Sequence, residues 1–278
     1  MILLHLVVAT LYAYAAWVLW PATPASTSEG THIATHSLAR PAAEFAVWLI
    51  PVALVFHAWL VSRSIATPQG LDLSLDNALS VVAGLVAALA WASGLLRTLP
   101  VMGTVVLPVA AVASLLPVLI THPHRFPYAA EPWAAAHVAV ALVAYALFIV
   151  AALQALALMS LEKRLRRRLP DPRADAMPPL LTLERFLFRL VTTAFVLLTF
   201  TVVSGVLFSE ELFGRPFMFT HKSVFSMLGW LTFGALLWGR WRYGWRGRVA
   251  LRWILVGTGF LLLAYLGSKF VLEVLLGR

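Results

Sequence analysis

The sequence predicts an all-α, polytopic membrane helix bundle with about eight transmembrane helices, and three observations predict it. Hydrophobic residues make up 61% of the 278 residues, and charged residues only 12%, roughly half the charge of an ordinary soluble domain. The mean hydropathy is +0.87. Apolar runs of spanning length recur along the whole chain. Together these exclude a soluble globular protein. Cysteine is absent, which also excludes disulfide frameworks, thiolate metal sites, iron–sulfur ligation and a CxxCH haem attachment.

A spanning helix needs about 20 mostly apolar residues. Eight segments qualify: 2–20, 44–62, 77–96, 101–120, 132–160, 186–208, 222–239 and 250–272. The first has no Lys or Arg ahead of its apolar run, so it reads as a retained helix that starts outside rather than a secretory signal. Only Arg97-Thr98-Leu99-Pro100 separates the third from the fourth, which predicts a tight helical hairpin. Pro108 and Pro117 lie inside the fourth span and are expected to kink it, as neighbouring helices or water allow. Loop 21–43 is rich in Ala, Pro, Thr and Ser. Loop 163–185, with Pro170, Pro172, Pro178 and Pro179, is the longest connection between packed spans. It is expected to divide the chain into two halves of one integral membrane domain covering 1–278.

Charge fixes the orientation. Loop 161–189 carries Lys163, Arg164, Arg166, Arg167, Arg168, Arg173, Arg185 and Arg189, and loop 240–252 carries Arg240, Arg242, Arg246, Arg248 and Arg252. With eight spans both fall on one side, together with Arg40 and Arg97. That side holds 15 of the 21 basic residues and half of the 12 acidic ones, so the net +9 is cytoplasmic. Both termini are then external. The arginine runs read as topology anchors near anionic lipid. Nucleic-acid binding has no aromatic or Gly-rich support.

No HExxH, GxSxG or phosphate-binding Gly-rich loop is present, so the chain reads as non-catalytic. Glu44 and Glu273 sit at span ends, and coupled transporters usually keep carboxylates along their path. Histidine is the informative residue. His32 and His36 fall in the cytoplasmic first loop. The other six map to the external half: His5, His57, His122, His124, His137 and His221. His137 lies five residues beyond Pro132, about 7.5 Å into its helix. His57, His137 and His221 therefore share a depth near the external interface. An imidazole there needs a partner, which interfacial water or a carbonyl can supply. A pair of imidazoles at one depth on different helices is also what six-coordinate haem iron needs. Trp133, Phe217, Phe219 and Trp230 are placed to pack on a macrocycle or to form a membrane belt.

The run WAAAHVAVALVAYALF, Trp133 to Phe148, resembles the His-bearing helix of the CcsA-type cytochrome c assembly family. SGVLFSEELFG, THKSVFSMLGWLTFGALLWG and LLLAYLGSKF extend the likeness over 132–272. Length and helix count are most similar to the small inner-membrane YpjD branch of that family and to the related HemX proteins. The resemblance implies that His137 matches the family's external haem-ligating histidine and that His57 matches one within the membrane. Two departures stand out. The family's Trp-rich external segment, ending Trp-Asp-Pro-Lys-Glu, is replaced by Glu210–Ser223, which contains no Trp. The second external histidine near the last helix falls at Ser268 or Lys269. These departures weigh against haem delivery through that segment, while His221 can supply a second ligand from a new position.

The expectation is a non-catalytic protein of the bacterial inner membrane, both termini outside, that binds or handles haem b in cytochrome c assembly or a related accessory role. His137 and His221 are the expected axial ligands to the haem iron, with His57 as a third or alternative one. Lys222 and Arg215 are candidate partners for haem propionates, snorkelling being the alternative for Lys222. Haem, lipid and a partner membrane protein of assembly or transport are the expected partners. The competing readings are a permease-like or accessory transport subunit without cofactor, and a regulator acting through its basic loops.

Overall fold

The computed structural model describes residues 2–20, 35–67, 70–72, 74–120, 125–126, 132–167, 178–207 and 220–267. They form nine α-helices: α1 (Ile2–Leu19), α2 (Thr35–Ile65), α3 (Leu75–Ala92), the single turn α4 (Leu95–Thr98), α5 (Pro100–Leu119), α6 (Pro132–Arg166), α7 (Leu180–Leu207), α8 (His221–Tyr243) and α9 (Gly247–Leu262). A π-helical turn, Leu263–Gly267, continues α9. Two compact units result, one of Met1–Ser64 with Leu79–Thr121, the other of Ile65–Ala78 with His122–Arg278. The divisions therefore fall after Ser64, Ala78 and Thr121, and none lies in loop 163–185. The reason is packing: α6 and α7, which that loop joins, lie against each other along their length.

In the first unit α5 packs chiefly along α1. The short link to α5 is as tight as expected: Gly94 takes a left-handed conformation (φ 72°), α4 follows, and Pro100 opens α5. A left-handed residue at such a turn favours glycine, which has no Cβ to clash. Both Pro108 and Pro117 are held inside α5. Three residues before Pro117, the Ser114 carbonyl accepts a hydrogen bond from His5 Nδ1 at 2.6 Å. A proline weakens the helical bonds of the turn before it, and a neighbouring helix that donates there restores the balance. His5 is buried and ties α1 to this turn of α5, one residue beyond the Ala113 carbonyl that loses its helical donor to Pro117.

The second unit is built on close approach. Gly229 of α8 lies against Leu261, and Gly257 of α9 lies against Phe233; a Cβ on either would come within 3.0 Å of the facing side chain. Small residues at such crossings let membrane helices pack by contact where hydrophobic transfer offers little. Phe233 stacks on Phe148 of α6 at 3.9 Å, and Thr258 Oγ1 donates to the Phe148 carbonyl. Gln154 Nε2 donates to the Leu183 carbonyl, joining α6 to α7. Trp230 Nε1 donates to Thr199 Oγ1, joining α8 to α7. A small antiparallel ribbon, β1 (Ala66–Thr67), β2 (Gly70–Asp72) and β3 (Arg125–Phe126), is the sole sheet among the described residues. Strands of two or three residues leave no readable period.

Seven described helices are long and apolar enough to cross a membrane, in keeping with the predicted polytopic bundle. The eighth expected crossing, 222–239, is a helix of 23 residues that is less apolar than the rest. At 1.5 Å per residue it reaches about 35 Å, longer than a hydrocarbon core of about 30 Å. α8 packs against α7 and α9, both among those seven. The helices also overrun their apolar segments. α6 continues to Arg166 and α7 begins at Leu180, the end of α6 being supported by a Glu162–Arg166 pair at 2.8 Å.

Candidate functional site

In the second unit, α6, α7, α8 and the π-helical turn bring polar side chains to one end. Six residues into α6, His137 Nδ1 meets Ser204 Oγ of α7 at 2.8 Å. Ser204 Oγ itself donates to the Thr201 carbonyl one turn back. A hydroxyl has one proton, so with that proton on the carbonyl the imidazole Nδ1–H is the donor to Ser204. The tautomer so fixed carries its lone pair on Nε2. Holding one nitrogen by a hydrogen bond is how proteins aim the other at a metal. The ring also lies over Gly205, where a Cβ would stand 3.5 Å from the His137 Cε1 atom.

Lys222, in the first turn of α8, is near enough to act electrostatically on His137. Its Nζ lies 5.7 Å from the Tyr265 ring centre, and Tyr265 meets Tyr145 edge-on at 5.8 Å. Tyr265 sits in the π-helical turn, a distortion often found at functional sites. His221 is exposed at the start of α8. That start is fixed by a capping box in which Thr220 accepts from the Ser223 N–H and Ser223 Oγ accepts from the Thr220 N–H. The structure thus joins His137 with Ser204 and Lys222, and holds His221 next to Lys222 in the same helical turn.

His57 belongs to the first unit and has a different environment. It is buried, its Nδ1 is 3.2 Å from the Tyr12 hydroxyl and its Nε2 is 2.9 Å from Ser80 Oγ. Its ring packs against Gly84, where a Cβ would lie 3.2 Å away. Both nitrogens are therefore engaged, and ligation through either would break a hydrogen bond. Arg215, His122, His124, Ser268 and Lys269 lie outside the described residues. Among the described residues no three His, Cys, Asp or Glu side chains gather as a metal cluster.

Sequence reasoning did not single out Ser204, Tyr12, Ser80 or Tyr265. Ser204 opens the run SGVLFSEELFG, but nothing local marks it as the partner of a histidine 67 residues earlier.

A bundle of membrane-spanning helices with histidines paired to hydroxyls at helix–helix contacts defines the class. Residues 47–276 match the family model described as cytochrome C assembly protein, and the chain belongs to that family. Among its relatives, the inner membrane protein YpjD of Escherichia coli K12 is 32% identical over 236 residues, 81% of this chain and 85% of that protein. An uncharacterized 28.8 kDa protein of Azospirillum brasilense is 34% identical over 147 residues, 52% of this chain and 54% of that one. The cytochrome c biogenesis protein CcsA of Thermosynechococcus vestitus is 27% identical over 213 residues, covering 62% and 67%. No solved structure matches the chain.

Proposed function

We propose that this protein binds haem b at the outer end of its second unit and serves cytochrome c assembly in a bacterial inner membrane. The observation that carries the reading is the His137–Ser204 bond at 2.8 Å, which holds the imidazole by Nδ1 and so fixes the orientation of its ring. Haem iron takes its equatorial donors from the porphyrin and asks the chain only for one or two axial ligands. The imidazoles of His137 and His221 have the donor chemistry for that demand. His137 would be the first ligand to the iron, and His221, beside Lys222 at the exposed start of α8, would be the second. Lys222 and Arg215 neutralise the propionates. His137 and Ser204 orient the ligand, while the stacked aromatic contacts of α6, α7 and α8 limit water on the inner side. Bound haem supplies an iron centre able to change oxidation state. This chain contributes binding and orientation and no catalytic step of its own. The topology that goes with it has eight crossings, external termini, and loops 161–189 and 240–252 in the cytoplasm. The membership in the cytochrome c assembly family supports the role.

The test is the absorbance spectrum of protein purified after expression with added haem precursor. Two imidazoles predict a low-spin, six-coordinate spectrum with a sharp Soret band. His137→Ala should empty the site or leave it five-coordinate, and His221→Ala should do the same. An unchanged spectrum in His221→Ala alone moves the second ligand elsewhere. Protein that takes up no haem overturns the proposal.

A further inference from the structure

At the opposite, basic end of the second unit, a cavity of about 410 Å³ opens beside α7 and α8, lined by Arg185, Phe188, Arg189, Thr192, Thr193 and Arg240. We propose that it is the headgroup site of an anionic phospholipid, whose phosphate is held by Arg185 and Arg189 against the fixed guanidinium of Arg240.

Helical spacing brings the first set together. Positions 185, 189 and 192 follow the i, i+4, i+7 rule and share one face of α7, joined by 193. Arg185 and Arg189 are exposed on a helix apolar enough to cross a membrane. Neither has an acidic partner among the described residues. Arg189 is nine residues beyond Leu180, about 13.5 Å along the helix. A guanidinium there, flanked by Phe186 and Leu190, calls for a counter-charge that none of the described residues supplies.

Arg240 makes the site a built one. Its Nη1 donates to Glu184 Oε1 at 3.2 Å and to the Trp245 carbonyl at 3.3 Å. The guanidinium lies over the Phe188 ring, with Cζ 3.7 Å from the centroid. Glu184 also accepts from the Gly247 N–H, so the carboxylate that pairs with Arg240 is already committed. Trp245 in turn packs where a Cβ at Gly239 would fall. Three guanidiniums thus line the cavity, and both side-chain bonds of Arg240 to described residues use Nη1, with Nη2 and Nε turned to no other described partner.

The depth identifies the source of the phosphate. Trp238, Trp241 and Tyr243, exposed at this end of α8, together with the Trp245–Trp253 pair at 5.3 Å, are an aromatic belt of the kind that marks the headgroup level. Phosphodiesters are concentrated there, and basic pockets between spanning helices take anionic headgroups.

The experiment uses the full-length protein, stripped of lipid in neutral detergent and followed by native mass spectrometry. It is titrated with phosphatidylglycerol, phosphatidylcholine or inorganic phosphate. One phosphatidylglycerol per chain should bind well ahead of phosphatidylcholine. R185Q/R189Q should weaken it about 30-fold, the loss expected for two guanidiniums near an anionic surface. R164Q/R167Q, which removes equal charge from the exposed end of α6, should change it little. Equal binding of the two lipids, an equal loss in both double variants, or displacement by millimolar inorganic phosphate each overturns the proposal. If R185Q/R189Q fails to insert, the comparison of the two lipids on the unmodified protein decides alone.

Discussion

Replacing His57 by leucine separates two physical pictures of a histidine in a membrane helix. A lipid-facing imidazole gains from the change, because a polar group leaves hydrocarbon. The structure predicts a loss. His57 is 2% exposed, Tyr12 0% and Ser80 1%, so the substitution strands two hydroxyls in the interior. Their costs differ. Ser80 sits in α3, and its hydroxyl can turn to a carbonyl of the preceding turn, so its loss is small. Tyr12 holds its hydroxyl at the end of a rigid ring directed at His57 Nδ1 and has no such refuge. An unpaired buried hydroxyl costs about 1–3 kcal/mol, whereas polar contacts between membrane helices average about 0.6 kcal/mol and reach about 1.7. A destabilisation of about 1.5 kcal/mol, where the two ranges overlap, follows. Equilibrium unfolding in mixed micelles, titrated with dodecyl sulfate and followed by helicity, measures it. Tyr12→Phe in the His57→Leu background should recover most of the loss, giving a coupling of about 1 kcal/mol or more. A His57→Leu protein as stable as the parent, or more so, refutes the reasoning.

The remaining predictions concern the second unit and the topology. Gly257→Ala places a methyl 2.8 Å from Phe233, which is pinned on Phe148; overpacking of this kind costs about 1–3 kcal/mol, read by the same titration, and a neutral result would show that α8 and α9 do not touch there. Ser204→Ala removes the acceptor for His137 Nδ1, so haem retention should fall several-fold with unfolding nearly unchanged; unaltered retention would detach Ser204 from the ligand. A cysteine placed at Ala174, in a chain without native cysteine, should resist a membrane-impermeant thiol reagent in intact cells. Ready labelling there would reverse the orientation.

The spans were legible because a bilayer imposes a length and a composition that single residues cannot disguise. The helix ends were less so. Apolarity stops at Ser160 or begins at Phe186, yet the helices run to Arg166 and from Leu180, since a helix outside the hydrocarbon is held by ion pairs and packing rather than by hydropathy. Facing was not legible at all. In helices apolar on every side, the pattern does not say which stripe meets a neighbour. His5 therefore read only as one of six histidines in the external half, although its ring lies 4% exposed against a carbonyl 109 residues away. The close-packed glycines Gly229 and Gly257 were equally silent, their meaning residing in Leu261 and Phe233 across the interface.

What distinguishes the histidines is the chemistry of the atoms they meet. His5 faces a carbonyl, which can only accept, so Nδ1 is its donor and the bond ties α1 to α5. His57 stands between two hydroxyls, each able to donate or accept, and either tautomer satisfies both; such a ring is a cross-link with no nitrogen left over. His137 meets a hydroxyl whose proton points to Thr201, which makes Nδ1 the donor and holds the ring against Gly205 of α7. A hydroxyl anchored on a carbonyl thereby does for this imidazole what a carboxylate does at many metal sites, without burying a charge in the membrane. An aspartate at position 204 would hold the ring more strongly, but it would bring a desolvation cost that a serine avoids. The choice of serine is thus consistent with a ligand that must be aimed within a low-dielectric bundle, and it places the charged partner, Lys222, at the helix mouth where water can still reach it.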